Sequence, residues 1–110
     1  MSYVSSSSVD LEGIQVKELK IALKQKFKLI ASNKQNFDTS GDNLKKHRLF
    51  QETERLVKLA DEDLKKISLN LAMMRVSQDS QSKYAQRYAK LERQMNEART
   101  NFMEMSDATN

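Results

Sequence analysis

Apolar side chains recur along much of this chain at alternating steps of three and four residues. One series begins at Phe50 and continues through Thr53, Val57, Ala60, Leu64, Ile67, Leu71 and Met74. A second begins at Tyr84 and continues through Tyr88, Leu91, Met95, Ala98, Phe102 and Met105. This spacing keeps one face of an α-helix turned towards a partner, whereas a strand repeats every second residue. Both series therefore predict long helices, and a third predicts a helix before them: Val16, Leu19, Leu23, Phe27 and Ile30.

Two polar stretches separate the three series. Residues 32–43 (SNKQNFDTSGDN) are the richest in turn formers, and Asp42 or Asn43 can cap the helix that follows. Residues 75–82 (RVSQDSQS) predict the second connection. The expected helices lie near residues 12–33, 43–75 and 80–105, with Phe37 folding back from the first loop onto the bundle end.

These elements predict an all-α fold, an antiparallel up-down-up three-helix bundle. Its expected parts are a flexible Ser-rich lead (1–9), the bundle (10–106) and a flexible tail (107–110). The expected core contains mid-series residues of each helix: Leu23, Phe27, Ile67, Leu71, Leu91 and Met95.

A continuous coiled coil is the alternative to this bundle. If residues 75–82 stayed helical, the second and third helices would form one rod of roughly 90 Å, which would need a partner chain along its length. A second apolar edge on the middle helix favours the bundle, because it widens the buried face towards two neighbours. That edge contains Leu49, Leu56 and Leu59.

Composition limits the chain to one domain and removes several kinds of chemistry. The 110 residues, of which 38% are hydrophobic and 31% charged, suffice for one narrow core. The absence of Cys excludes disulfides and thiolate metal sites, and it is typical of a cytosolic protein. No apolar run approaches the ~20 residues that span a bilayer.

Candidate catalytic residues are few. The only histidine is His47, and it lies among residues that would repel a cation: Lys45, Lys46 and Arg48. No serine lies in a Gly-flanked elbow, and no Gly-rich phosphate loop is present. We therefore expect no enzyme activity, no metal and no cofactor.

A row of lysines on the first helix is the strongest candidate binding feature. It contains Lys17, Lys20, Lys24 and Lys28, at steps of three and four. Residues 11–34 hold six Lys and two Glu, a surplus equal to the formal net charge of +4 of the whole chain. Such a row can be a solvated face, or it can meet an acidic protein or anionic lipid headgroups. Without arginines or interleaved aromatics, it does not indicate nucleic acid.

The stretch 47–102 resembles the last two helices of the N-terminal, Habc-like domain of Vti-type vesicle SNAREs. The similar elements are a helix that ends in a Leu/Met cluster (ADEDLKKISLNLAMM), a short connector and a helix of the form K-x-x-x-R-Y-x-x-L. Lys83, Arg87, Tyr88 and Leu91 match that form, with Tyr84 one turn before Tyr88. The family often has prolines in the connector, and this chain has none.

The resemblance implies a cytoplasmic regulatory domain of a membrane-trafficking SNARE protein, at the surface of endosomal or Golgi membranes. Such a domain binds a trafficking adaptor, for example an epsin-like protein, or other SNAREs, with weak anionic-membrane contact as a further expectation. We expect a monomeric bundle that acts by surface recognition. The alternative is a coiled-coil structural subunit, a chaperone or a scaffold of a larger assembly.

Overall fold

The computed structural model describes the backbone of residues 2–73 and 78–109 and the side chains of residues 16–73 and 82–109. This part of the chain contains three α-helices. Helix α1 spans Ser2–Thr39, α2 spans Asn43–Met73 and α3 spans Gln78–Thr109. No strand occurs in these described ranges. Each helix contacts both of the others, so the expectation of an all-helical three-helix bundle is confirmed.

The core lies along the meeting line of the three helices. Its larger cluster takes buried residues from every helix: Val16, Leu23, Ala60, Leu64, Ile67, Leu91 and Met95. Four of the six predicted core residues are in this cluster, and the other two, Phe27 and Leu71, pack against it while partly buried. The three-and-four spacing therefore identified the buried faces correctly.

A second cluster extends the core towards the end of the bundle at which α1 meets α2. It contains one buried residue from each helix: Ile30, Leu56 and Ala98. Nearby on α2 and α3, the rings of Phe50 and Phe102 stack with centroids 5.1 Å apart and planes 9° from parallel. Stacked aromatic rings of this kind add to the stability that burial gives.

The first loop is much shorter than predicted. Helix α1 continues to Thr39, so the predicted end near residue 33 and the loop at 32–43 are wrong. Asn33 and Phe37 follow Ile30 at steps of three and four, and both are buried. Gln35 and Asn36, which lie between them, are on the exposed side of the same helix, which is why a polar composition did not break it. Phe37 is buried as predicted, but from the helix rather than from a loop.

Helix α2 begins with a side-chain cap. The Oδ1 of Asp42 accepts hydrogen bonds from the backbone N–H groups of Leu44 (2.9 Å) and Lys45 (3.4 Å). These bonds satisfy donors that have no partner inside the helix. The predicted cap at Asp42 is confirmed.

The remaining boundaries differ from the expectations in detail. Helix α1 begins at Ser2, before the predicted start near 12, and α3 ends at Thr109, beyond the predicted end near 105. Residues 75–77 of the predicted second connection lie outside the described residues, and its residues 78–82 belong to α3, so the prediction is wrong for that part. The flexibility of the lead and of the tail stays a prediction.

Three ion pairs join the helices at their edges. Lys26 contacts Asp63 (2.5 Å), Arg99 contacts Asp61 (2.6 Å) and Lys34 contacts Glu104 (3.1 Å). Partial burial alone would raise the pKa of the Asp61 carboxyl, but hydrogen bonds from Lys65 and Arg99 bring this pKa below its ordinary value. Each helix interface thus has at least one polar contact outside its apolar centre.

We predict that Ile67→Ala lowers the free energy of unfolding by about 2 to 5 kcal/mol, because Ile67 is 1% exposed and its loss leaves a cavity in the larger cluster. Leu69→Ala is the matched control on the same helix, since Leu69 is 65% exposed. It should change stability by no more than about 0.5 kcal/mol. Urea denaturation measures both, and equal effects would contradict the assigned core.

Candidate binding surface

The predicted lysine row lies at the surface of α1. Lys17, Lys24 and Lys28 are exposed, and Lys20 is half-buried. Among the described residues, none of these four ammonium groups lies within 4 Å of a carboxylate. Two other lysines of the same helix, Lys26 and Lys34, are paired with acids of neighbouring helices, so the row differs from the rest of α1.

Helix α3 adds cations to this row, which sequence reasoning did not predict. Burial, followed by the charges of Lys24, Arg87 and Lys90, lowers the pKa of the Lys20 ammonium. Arg87 and Lys90 belong to α3, so positive groups from two helices lie close enough to repel one another. We call this set the α1–α3 basic surface: Lys17, Lys20, Lys24, Lys28, Arg87 and Lys90.

A signal for the α3 contribution was present in the sequence. Lys83, Arg87 and Lys90 are four and three residues apart, the spacing of one helix face. Local spacing does not reveal which neighbouring helix that face meets. Only the packing of α3 against α1 brings Arg87 and Lys90 to Lys20.

An apolar cleft of about 90 Å³ lies beside this surface. Its walls are mostly aliphatic and aromatic: Val16, Ile67, Leu71, Tyr84, Tyr88 and Leu91. Lys17, Lys20 and Arg87 also belong to the described lining, and none of the three is fully buried. Because long basic side chains pack their stems on apolar surface and keep their charge in water, the cleft has apolar walls and positive groups around it.

The described side chains offer little else that could carry chemistry. They contain no group of three or more His, Asp or Glu that could hold a metal ion, and His47 is exposed. None of the described helices has an apolar segment sufficient to cross a bilayer.

No protein-family profile matches the chain, and no curated protein or solved structure is significantly similar to it. The resemblance to Vti-type N-terminal domains rests on the residues quoted for it above. Three of those residues, Arg87, Tyr88 and Leu91, line the cleft.

We predict that Lys20→Gln stabilises the protein by about 0.2 to 0.5 kcal/mol at low salt, the size of one like-charge contact. Folding lowers the pKa of this ammonium, so its charged form is disfavoured in the folded state. The extra stability of the variant should be present at pH 7, where Lys20 of the parent protein is charged. It should fade as the pH rises through the lowered pKa, because the Lys20 ammonium then loses its proton. Urea denaturation at low and high salt measures it.

Lys66→Gln is the matched control, because Lys66 is exposed on α2, outside the basic surface. It should leave stability unchanged. A Lys20→Gln variant less stable than this control at low salt would show that the repulsion is not significant.

Proposed function

We propose that the chain is a non-catalytic interaction domain whose α1–α3 basic surface binds an acidic face of a protein partner. The observation that carries this proposal is the meeting of Lys17 and Lys20 of α1 with Arg87 of α3 around one cleft. Burial, followed by the charges of Lys24, Arg87 and Lys90, lowers the pKa of Lys20 there. Like charges that lie close together slightly destabilise the folded chain. An acidic partner would relieve the repulsion on binding.

We further propose the antiparallel up-down-up arrangement that this surface requires. The contact between Asp61 and Arg99 supports it, because these residues are 38 positions apart and would lie about 57 Å apart on one continuous helix. Val16 shares a cleft with Ile67 and Tyr84. Such contacts are expected if the chain reverses direction between α1 and α2 and again between α2 and α3.

Contacts further along α1 support the same arrangement. Ile30 shares a cluster with Leu56 and Ala98, and Lys34 contacts Glu104. Towards the C-terminal end of α1, the residues in contact with it therefore have lower numbers on α2 and higher numbers on α3.

The resemblance to Vti-type vesicle SNAREs supplies the biological setting of the proposal. In that setting, the domain belongs to a membrane-trafficking protein, acts in the cytoplasm at endosomal or Golgi membranes, and binds an adaptor or another SNARE. No residue of the family's adaptor-binding patch is carried over to this chain, because α1 does not align securely with the first helix of those domains.

A coiled-coil subunit, chaperone or scaffold of a larger assembly is the second candidate. The exposure of Leu69 and Met73, near the end of α2, favours it, since these side chains could pack on another chain. Solution mass separates the two candidates, because the interaction domain is expected to be a monomer and the subunit an obligate oligomer.

The test of the proposal removes the lysine row. Substituting Gln at Lys17, Lys20, Lys24 and Lys28 keeps helix-compatible side chains but removes four charges. We predict unchanged helix content by circular dichroism and a reduction of about tenfold or more in affinity for polyglutamate, the acidic probe. Binding by the parent should weaken as salt is added, because screening shortens electrostatic attraction to about 8 to 10 Å near physiological ionic strength.

The matched control removes four charges from exposed positions of α2: Lys45, Arg55, Lys58 and Lys66 to Gln. Both variants have the same net charge, so they differ only in where the charge is lost. Equal affinities of the two variants would contradict a specific basic surface and leave only non-specific attraction.

A further inference from the structure

We infer that the cleft beside Lys20 and Arg87 binds one branched aliphatic side chain of a peptide segment whose flanking residues are acidic. This inference rests on the proposed function and names the kind of partner for the same surface. It would make recognition depend on an apolar anchor in addition to charge.

The size of the cleft selects a side chain rather than a small molecule. Its volume of about 90 Å³ is well below the roughly 300 to 1,000 Å³ of pockets that enclose cofactors and drug-sized ligands. It is also below the roughly 150 Å³ of an apolar cavity that holds benzene. A Val, Leu or Ile side chain suits this space better than an aromatic ring or a lipid acyl chain.

The walls determine the chemistry of the anchor. The half-buried side chains of Leu71, Tyr84 and Tyr88 provide accessible apolar surface, and the buried Ile67 and Leu91 lie beneath them. Removing an aliphatic side chain from water on such walls is favourable in proportion to the apolar area buried. A polar anchor would lose its hydrogen bonds to water there without replacing them all.

The charges around the cleft determine what flanks the anchor. Lys17, Lys20 and Arg87 line the cleft and carry three positive charges, and none of the lining residues that the structure describes is acidic. Arg can bind a carboxylate through two parallel hydrogen bonds, whereas Lys acts as a point charge. Glu or Asp residues on either side of the anchor would complement these groups.

Two other surface clefts of the described part show the contrast. One is lined by both Glu18 and Lys66, and another by both Arg93 and Glu97. Each combines charges of opposite sign, so neither would select an acidic segment. In the cleft at Lys20, the described lining combines an apolar floor with positive charges only.

The experiment uses short fluorescently labelled peptides in which one central residue is flanked by glutamates. The central residue is Leu in the first peptide and Ala in the second, and vesicles of phosphatidylserine and phosphatidylcholine form a third arm. We predict that the full chain binds the Leu peptide about tenfold or more tightly than the Ala peptide by fluorescence anisotropy. Binding of both peptides should weaken with salt.

The position of the anchor is read from methyl chemical shifts. The Leu peptide should shift the methyl signals of Ile67, Leu71 and Leu91 more than the Ala peptide does. The methyl groups of Ile30 and Leu56 are the control, because they belong to the other core cluster. Shifts confined to these control methyls would overturn the inference.

A pair of protein variants tests whether the wall of the cleft contributes to peptide binding. Leu71→Ala removes part of the wall, whereas Leu69→Ala removes an exposed side chain of the same helix. We expect the first to reduce the preference for the Leu peptide several-fold and to leave the salt dependence unchanged. The second should change neither, and circular dichroism verifies that both variants are folded.

Failure of the inference and failure of the proposed function give different results. Equal, salt-sensitive affinities for the Leu and Ala peptides would overturn the anchor and leave the basic surface as an acidic-protein site. Absence of binding to either peptide would overturn both. Vesicle binding without peptide binding would also overturn both, in favour of an anionic membrane surface.

Discussion

The apolar face of α1 is the constraint on which the rest of the structure depends. Both core clusters contain residues of all three helices, and α1 contributes from Val16 in the first to Ile30 in the second. This shared burial holds α3 against α1, and the basic residues of the two helices become neighbours because of it. Without that packing, Lys20 and Arg87 would belong to separate, unremarkable helix faces. The proposed binding surface is thus a product of the core.

Packing and charge oppose each other at this surface. Burial of apolar residues draws α1 and α3 together, and the same approach brings Lys20 towards Arg87 and Lys90. Elsewhere along these helices, opposite charges meet, as in the contact of Lys34 with Glu104. Exposed ion pairs contribute little to stability, so pairing more charges near Lys20 would gain the fold little. The role that we propose for this cluster of like charge beside an apolar cleft is binding to an acidic partner.

Local spacing predicted most of the core and only part of the surface. The steps of three and four placed Leu23, Ile67 and Met95 in the interior, because burial on a helix follows its period. The same rule applies to Asn33 and Phe37. The polar composition of 32–43 predicts a loop there instead, so the expected α1 is shorter than the observed helix. The contribution of α3 to the basic surface depends on how the helices pack, a long-range property that no local pattern contains.

The most direct test of the account is the distance between α1 and α3 within one chain. Because the chain has no Cys, spin labels can be attached through Ala31→Cys and Glu97→Cys, both exposed and outside the basic surface. Dilution with unlabelled protein restricts double electron–electron resonance to distances within a chain. The account predicts a single short distance, below about 25 Å, since packed helix axes lie 8 to 10 Å apart. A distance near 60 Å, expected if α2 and α3 form one rod, would contradict it.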